Sequence, residues 1–310
     1  MSYSVDVEHV PAAGGDPAAG VQTAAVRSLV LTALSFSLMA LFVRLSGTRL
    51  PSLEIVFVRA LVTLVLTWAL LRRAGVGPWG DRRHRRLLVL RGVVGFGALS
   101  CFFYSVTHLP LAEATVIQFT SPISTALIAA LYLGERASPR LWAAIGLGLA
   151  GVLLIIRPAA LFSAAGSLLP PGVVLVGLAG AFMTSLAHVL VRRLAPHEHE
   201  LVVVWYFPLV AVPASLLPMA PVWVWPSPGE WLLLLAVGVL GQAAQILLTR
   251  GLRHVGAASA GVILYLQILF ATLWGLAVLG ERPGLWTLGG SLLVLAGTVV
   301  ASRRPRLPPA

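Results

Sequence analysis

From Val26 onwards the chain is a succession of long apolar runs separated by short polar breaks. Spanning a bilayer takes about 20 mostly apolar residues. Ten runs reach or approach that length, at 26–45, 52–71, 87–107, 111–133, 139–156, 172–191, 200–218, 230–250, 256–279 and 284–301. A helix pairs its own backbone groups, which lipid cannot do, so each run predicts a transmembrane helix. The connections are short apart from 72–86 and 157–171. Residues 1–25 are different, rich in Pro, Gly and Ala and without a basic segment running into an apolar one. They read as a disordered cytosolic tail and not as a secretory signal. The predicted organisation is an all-α polytopic membrane protein: tail 1–25, five spans in 26–157, a connecting loop 158–171, five spans in 172–302, and a basic tail 303–310.

Composition excludes the soluble class. Of 310 residues, 58% are hydrophobic and 11% charged, with a mean hydropathy of +0.92. A soluble domain carries about a quarter charged residues. The net charge of +11 comes from 22 basic residues, all arginine, against 11 acidic ones. Such a balance points to nucleic acid until its placement is read. With the N-terminus in the cytosol, 16 arginines fall in cytosolic segments. Four, Arg44, Arg49, Arg157 and Arg282, fall outside. This split follows the positive-inside rule. It predicts a multi-pass protein of the inner membrane with both termini cytoplasmic, and it removes nucleic acid as a partner. Arg59 and Arg91 remain inside apolar runs. The single cysteine, Cys101, excludes an intrachain disulfide and a Cys-rich metal site.

The two halves match at an offset of 146. Glu54 pairs with Glu200, Gly92 with Gly238, Gly95 with Gly241, His108 with His254, and Gly134-Glu135-Arg136 with Gly280-Glu281-Arg282. Between 91–136 and 237–282, 14 of 46 positions are identical. Five spans per half is an odd number, so the second half enters the membrane upside down. Inverted repeats are an architecture of secondary transporters, which bind substrate near the midplane at the repeat interface.

The stretch THLPLAEATVIQFTSPISTALIAALYLGER (107–136), with GLAGVLLI following in the fifth span, closely resembles the EamA-type repeat of the drug/metabolite transporter superfamily. FVRA (57–60), LRG (90–92) and RHVGAASAGVILYLQ with LGER in the second half fit the same pattern. The resemblance covers about 26–301. It implies ten helices in two inverted five-helix repeats, a central cavity and alternating access. The second repeat departs from the first: Ser259 stands where Glu113 is, and Leu266-Gln267-Ile268 replace Thr120-Ser121-Pro122. The site is therefore expected to be asymmetric.

Ionisable groups at bilayer depth cost about 2.5–3.5 kcal/mol on insertion scales and mark functional positions or buried pairs. Arg59 lies about 10 Å into the second span at about 1.5 Å per residue. It is either an anchor for a substrate carboxylate or phosphate or half of a structural ion pair. Arg91 lies nearer the cytosolic surface, where snorkelling to headgroups competes with a site role. Glu113 and Glu54 are coupling candidates. Both also occupy first-turn positions, where a carboxylate satisfies free N–H groups. Pro122 in mid-span kinks the fourth helix beside Gln118, Thr120 and Ser121. Gln242 and Gln245 share one face of the eighth helix, and Tyr265, Gln267 and Trp274 lie in the ninth. Each is read as cavity wall or as interhelical hydrogen-bonding glue. Trp205 and Tyr206 are stacking candidates or packing residues. His188 in the sixth helix is a relay candidate or an ordinary hydrogen-bonded histidine. Glycines 146, 148 and 151 in the fifth span, and 289, 290 and 297 in the tenth, predict close helix packing. That packing lies within the monomer or across a homodimer.

No nucleotide, hydrolase or zinc-protease motif is present, so an enzyme is not expected, nor a cofactor or metal. The expected function is secondary active transport, with export favoured, of a small polar or zwitterionic metabolite such as an amino acid. The partners are a small-molecule substrate, the lipid bilayer, and a coupling proton or exchange substrate. The alternatives are a proton-coupled exporter of lipophilic cationic drugs, and a membrane-embedded lipid carrier or lipid-processing enzyme.

Overall fold

The computed structural model describes residues 17–121, 123–124, 128, 139–156, 169–194, 196–254 and 263–302. These residues form ten α-helices: α1 Pro17–Ser46, α2 Ser52–Ala74, α3 Arg85–His108, α4 Leu111–Gln118, α5 Pro139–Ile156, α6 Pro171–Leu194, α7 Glu200–Met219, α8 Pro228–His254, α9 Leu266–Val278 and α10 Leu285–Ser302. A 3-10 turn, Ala220–Val222, extends α7. Among the described residues, six helices are long and apolar enough to cross a membrane. Pro122, the first Gly-Glu-Arg motif and the 158–168 part of the connecting loop lie outside the described residues.

Helix limits follow local chemistry. Proline cannot donate and suits a helix's first turn or the position before it. Pro51 and Pro110 precede α2 and α4, while Pro171 and Pro228 open α6 and α8. At the end of α2, Gly75 adopts φ 65°, and Val76 N–H returns to the Leu71 carbonyl. That left-handed closure favours glycine. One expectation is corrected: α1 begins at Pro17, so the last part of the expected disordered tail is helical. Ala25 is buried there, with its carbonyl facing Gly251 of α8.

The packing has an internal two-fold pattern. α1 lies on α8 as α6 lies on α3, and α3 lies on α7 as α8 lies on α2. The pairs α2–α7, α4–α9 and α5–α10 map onto themselves. In lipid, close helix approach depends on small residues. A Cβ on Gly92 would stand 2.5 Å from the Tyr206 carbonyl oxygen, and one on its repeat mate Gly238 would stand 2.5 Å from the Val62 Cβ. A Cβ on Gly151 of α5 would stand 2.6 Å from the Gly290 carbonyl of α10, so these glycines pack within the monomer. Large apolar residues such as Leu31, Val65, Leu175, Leu232 and Leu292 are exposed, giving the bundle a lipid-compatible surface.

Candidate functional site

Arg59 lies in α2, seven residues after Ser52, and is only 7% exposed. Its guanidinium carbon sits 5.6 Å from the Phe103 ring centre of α3 and 5.4 Å from that of Phe207 of α7. On a third side is Gly241 of α8, where a Cβ would come within 2.8 Å of Arg59 Nε and 3.1 Å of Met39 Sδ from α1. Three helices besides α2 therefore meet at this one cation, with Met39 of α1 beside Gly241. Gly241 is about 20 Å along α8 at about 1.5 Å per residue, well inside a bilayer core about 30 Å thick. Arg59 makes no ion pair among the described residues, and its buried Nε has no hydrogen-bond partner. Of its two sequence readings, the structural ion pair lacks a partner. The rings return only part of the cost, since at 5.4–5.6 Å, near the long end of the interaction, each cation–π contact is worth about 0.5–1 kcal/mol.

Arg91 differs from a snorkelling side chain. Snorkelling would carry its head back towards the start of α3. Instead Nη1 occupies the place that a Cβ on Gly95 would take, one turn deeper. Among the described residues its buried Nε and Nη1 have no hydrogen-bond partners. The physical reason is Gly95 itself: a missing side chain leaves room for the head group. The Phe207 ring stands 3.4 Å from that same position, so Arg91 and Arg59 share Phe207 as a wall. The two glycines that cradle the arginines, Gly95 and Gly241, are repeat equivalents. The sequence pairs them but gives no sign that Gly241 receives a guanidinium from α2, while Gly95 receives that of Arg91 four residues earlier on α3 itself.

The polar candidates divide among separate seams. Gln242 is buried and donates from Nε2 to Thr67 Oγ1 of α2 at 3.3 Å. Trp274 donates to Ser37 Oγ of α1 at 3.2 Å. Gln118 donates to Thr184 Oγ1 of α6 at 2.9 Å, with its Oε1 buried and unpartnered. Thr120 donates to the Ile117 carbonyl, and the Ser121 carbonyl accepts from Ser185 Oγ at 2.6 Å. Thus Gln118 and Ser121 join α4 and its extension to α6, apart from Arg59. Tyr265 packs its ring against Phe119 at 5.5 Å. Gln267 is buried, Gln245 is half-buried and His188 is exposed on α6. Trp205 packs on Trp68 at 5.6 Å, and Tyr206 donates to the Trp79 carbonyl at 2.9 Å.

Both carboxylate candidates lie at one end of the bundle, where charges tie the halves together. Glu54 is fully buried and accepts from Val224 N–H at 3.1 Å. Glu113 accepts from Thr287 Oγ1 at 3.0 Å. It lines a cavity of about 150 Å³ with Pro110, Thr272, Glu281 and Arg282. Glu281 accepts from Leu111 N–H at 2.8 Å and pairs with Arg44 at 3.6 Å. Arg49 binds both oxygens of Glu230, whose hydrogen bonding raises the Arg49 pKa above its ordinary value. At the opposite end, Glu198 accepts from His84 at 3.1 Å and from Asp81 N–H at 3.0 Å. The arginine pair therefore lies between two end regions, each with first-half to second-half ties. Among the described residues no group of three or more His, Cys, Asp or Glu could hold a metal.

Known proteins resemble this chain over most of its length. The EamA-like transporter family matches residues 24–157 and 171–303, one match per five-helix half. The chain is 34% identical to the pseudopaline exporter CntI of Pseudomonas aeruginosa, over 88% of this chain and 94% of that protein. It is 28% identical to solute carrier family 35 member G1 of Mus musculus, over 89% and 77%. It is 23% identical to an S-adenosylmethionine uptake transporter of Rickettsia bellii, over 82% and 84%. A solved structure covering 93% of this chain and 97% of its own superposes with a TM-score of 0.59 at 22% identity, which speaks for the fold alone. The family and these relatives are transporters and not enzymes, and ten helices in two five-helix repeats are what such a protein requires: the chain belongs to the EamA-like transporter family, a membrane transporter of the drug/metabolite superfamily.

Proposed function

We propose that the protein exports a small polar or zwitterionic metabolite bearing an acidic group, by alternating access about the Arg59 region. The observation that carries this reading is the buried Arg59 guanidinium, without an ion pair among the described residues and walled by two aromatic rings. A carboxylate is the ligand that such a head group lacks, and it can be gripped bidentately. Export agrees with the relative named as an exporter, although another relative is named for uptake. Gln242 and Trp274, in the neighbouring α2–α8 and α1–α9 seams, supply hydrogen bonds and an aromatic face in this reading. Gln118, Thr120, Ser121, Gln245, Tyr265 and Gln267 are lining residues of the same pathway, and His188 is its peripheral member. Glu113 and Glu54 couple the cycle to protons or to exchange from the Arg44 end, taken as external. The termini are placed in the cytoplasm and the protein in the inner membrane. The repeats 26–157 and 172–302 rock against each other, breaking the end ties in turn.

A central cationic substrate would face Arg59 without a compensating carboxylate, so the lipophilic-cation reading ranks second. A thermal-shift screen of the detergent-purified protein separates them, because a ligand that binds the native state raises its unfolding temperature. Amino acids and related carboxylates are expected to stabilise, and lipophilic cations not. Stabilisation by the cations alone would overturn the proposal.

A further inference from the structure

We infer that the substrate carries two anionic groups, one taken by Arg59 and the other by Arg91 across Phe207. This rests on the reading of Arg59 as an anion anchor and extends it to a second charge. The two side chains belong to antiparallel neighbours, α2 and α3. Arg59 enters from the Arg44 end and Arg91 from the His84 end, and both reach towards the middle. Each head lies over a glycine of the repeat-equivalent pair, Arg59 against Gly241 and Arg91 against Gly95, and both border Phe207. Each has buried guanidinium nitrogen without a hydrogen-bond partner among the described residues.

The described carboxylates near the bundle interior are engaged elsewhere: Glu54 with Val224, Glu113 with Thr287, Glu198 with His84, Glu230 with Arg49 and Glu281 with Arg44 and Leu111. Two like charges bordering one ring repel at low dielectric. A monoanion would neutralise one and leave the other, with buried guanidinium nitrogens, uncompensated. A ligand with two carboxylates, or a carboxylate and a second acidic group, neutralises both and satisfies the empty donors. The apolar Phe103 and Phe207 walls suit the carbon skeleton between its acidic ends.

Matched probes test this on the purified full chain: glutamate against glutamine, and succinate against its monoamide succinamate. Apparent affinity is read from thermal shift against concentration. A charged hydrogen-bonded contact corresponds to about tenfold or more in affinity. The dianionic member of each pair is expected to bind at least about tenfold tighter on that basis. Arg91→Gln is expected to erase the preference while retaining binding of the monoacids, and Arg59→Gln to weaken both members. Gly95→Ala provides a second variant should Arg91→Gln not fold. Its methyl displaces only the flexible end of Arg91 and meets Phe207 at an ordinary 3.4 Å, so it too is expected to lose the preference. Equal binding of both members by the wild type, absence of binding by either dianion, or a preference that survives both Arg91→Gln and Gly95→Ala overturns the inference. If Arg59→Gln still weakens binding in those cases, the Arg59 reading stands. If Arg59→Gln leaves binding intact, that reading falls first.

Discussion

Replacing Arg59 by Met removes a buried cation while keeping a long flexible side chain that fills the same space. Insertion of a charged side chain at depth costs about 2.5–3.5 kcal/mol. The ring contacts at 5.6 and 5.4 Å return a part of this, about 1–2 kcal/mol together. With no ion pair among the described residues to lose, the substitution is expected to stabilise the ligand-free protein by about 1–2 kcal/mol, as apolar replacement of buried charge does elsewhere. At about 2–4 °C per kcal/mol for chains of 150–250 residues, the expected rise in unfolding temperature is about 2–8 °C. The assay is thermal unfolding of wild type and Arg59→Met in the same detergent without ligand, followed by the carboxylate titration. The variant should be more stable and blind to carboxylates. A fall of several degrees would refute the reasoning, because it would make Arg59 a structural tie between α2 and its neighbours.

Further expectations concern packing, topology and the end ties. Gly92→Ala drives a methyl into the Tyr206 carbonyl at 2.5 Å, where backbone cannot yield cheaply. It should cost about 1–3 kcal/mol by overpacking, read as a lower unfolding temperature, whereas Gly146→Ala, with nothing within 4 Å, should change little. In a Cys101→Ala background, single cysteines at 136 and 282 should react with an impermeant maleimide from opposite sides of the membrane. Labelling from the same side would contradict the inverted repeat. Glu281→Ala removes the Arg44 partner and the acceptor for Leu111 N–H, so a cysteine at 107 should label faster than in the otherwise unchanged protein.

The ten spans were legible because long apolar runs admit little but helices in lipid, and prolines at 51, 110, 171 and 228 marked where several begin. α1 extends back to Pro17 against a tail-like composition, and Ala25 packs against α8. α7 runs through Pro208, Pro213 and Pro218 as one helix, which neither apolarity nor propensity announces. For the site, the pattern singled out Arg59 and paired Gly95 with Gly241. It could not say that Gly241 receives the Arg59 guanidinium, since that depends on which helices cross, whereas Arg91 and Gly95 stand four apart on one helix. Phe103 and Phe207 were missed as walls for the same reason: an aromatic residue in an apolar run looks the same whether it meets lipid or a cation. Glu54 and Glu113 were correctly seen as first-turn carboxylates, but their hydrogen bonds to Val224 and Thr287 join distant parts of the chain.

Vectorial transport in proteoliposomes bears most directly on the role of Arg59. Vesicles loaded with the best-binding carboxylate and containing wild type should release it or exchange it. Arg59→Lys should do so weakly, because an ammonium cannot reproduce the bidentate fork, and Arg59→Gln should not move it at all at equal amounts of inserted, folded protein. Movement by Arg59→Gln at the wild-type rate would contradict the account.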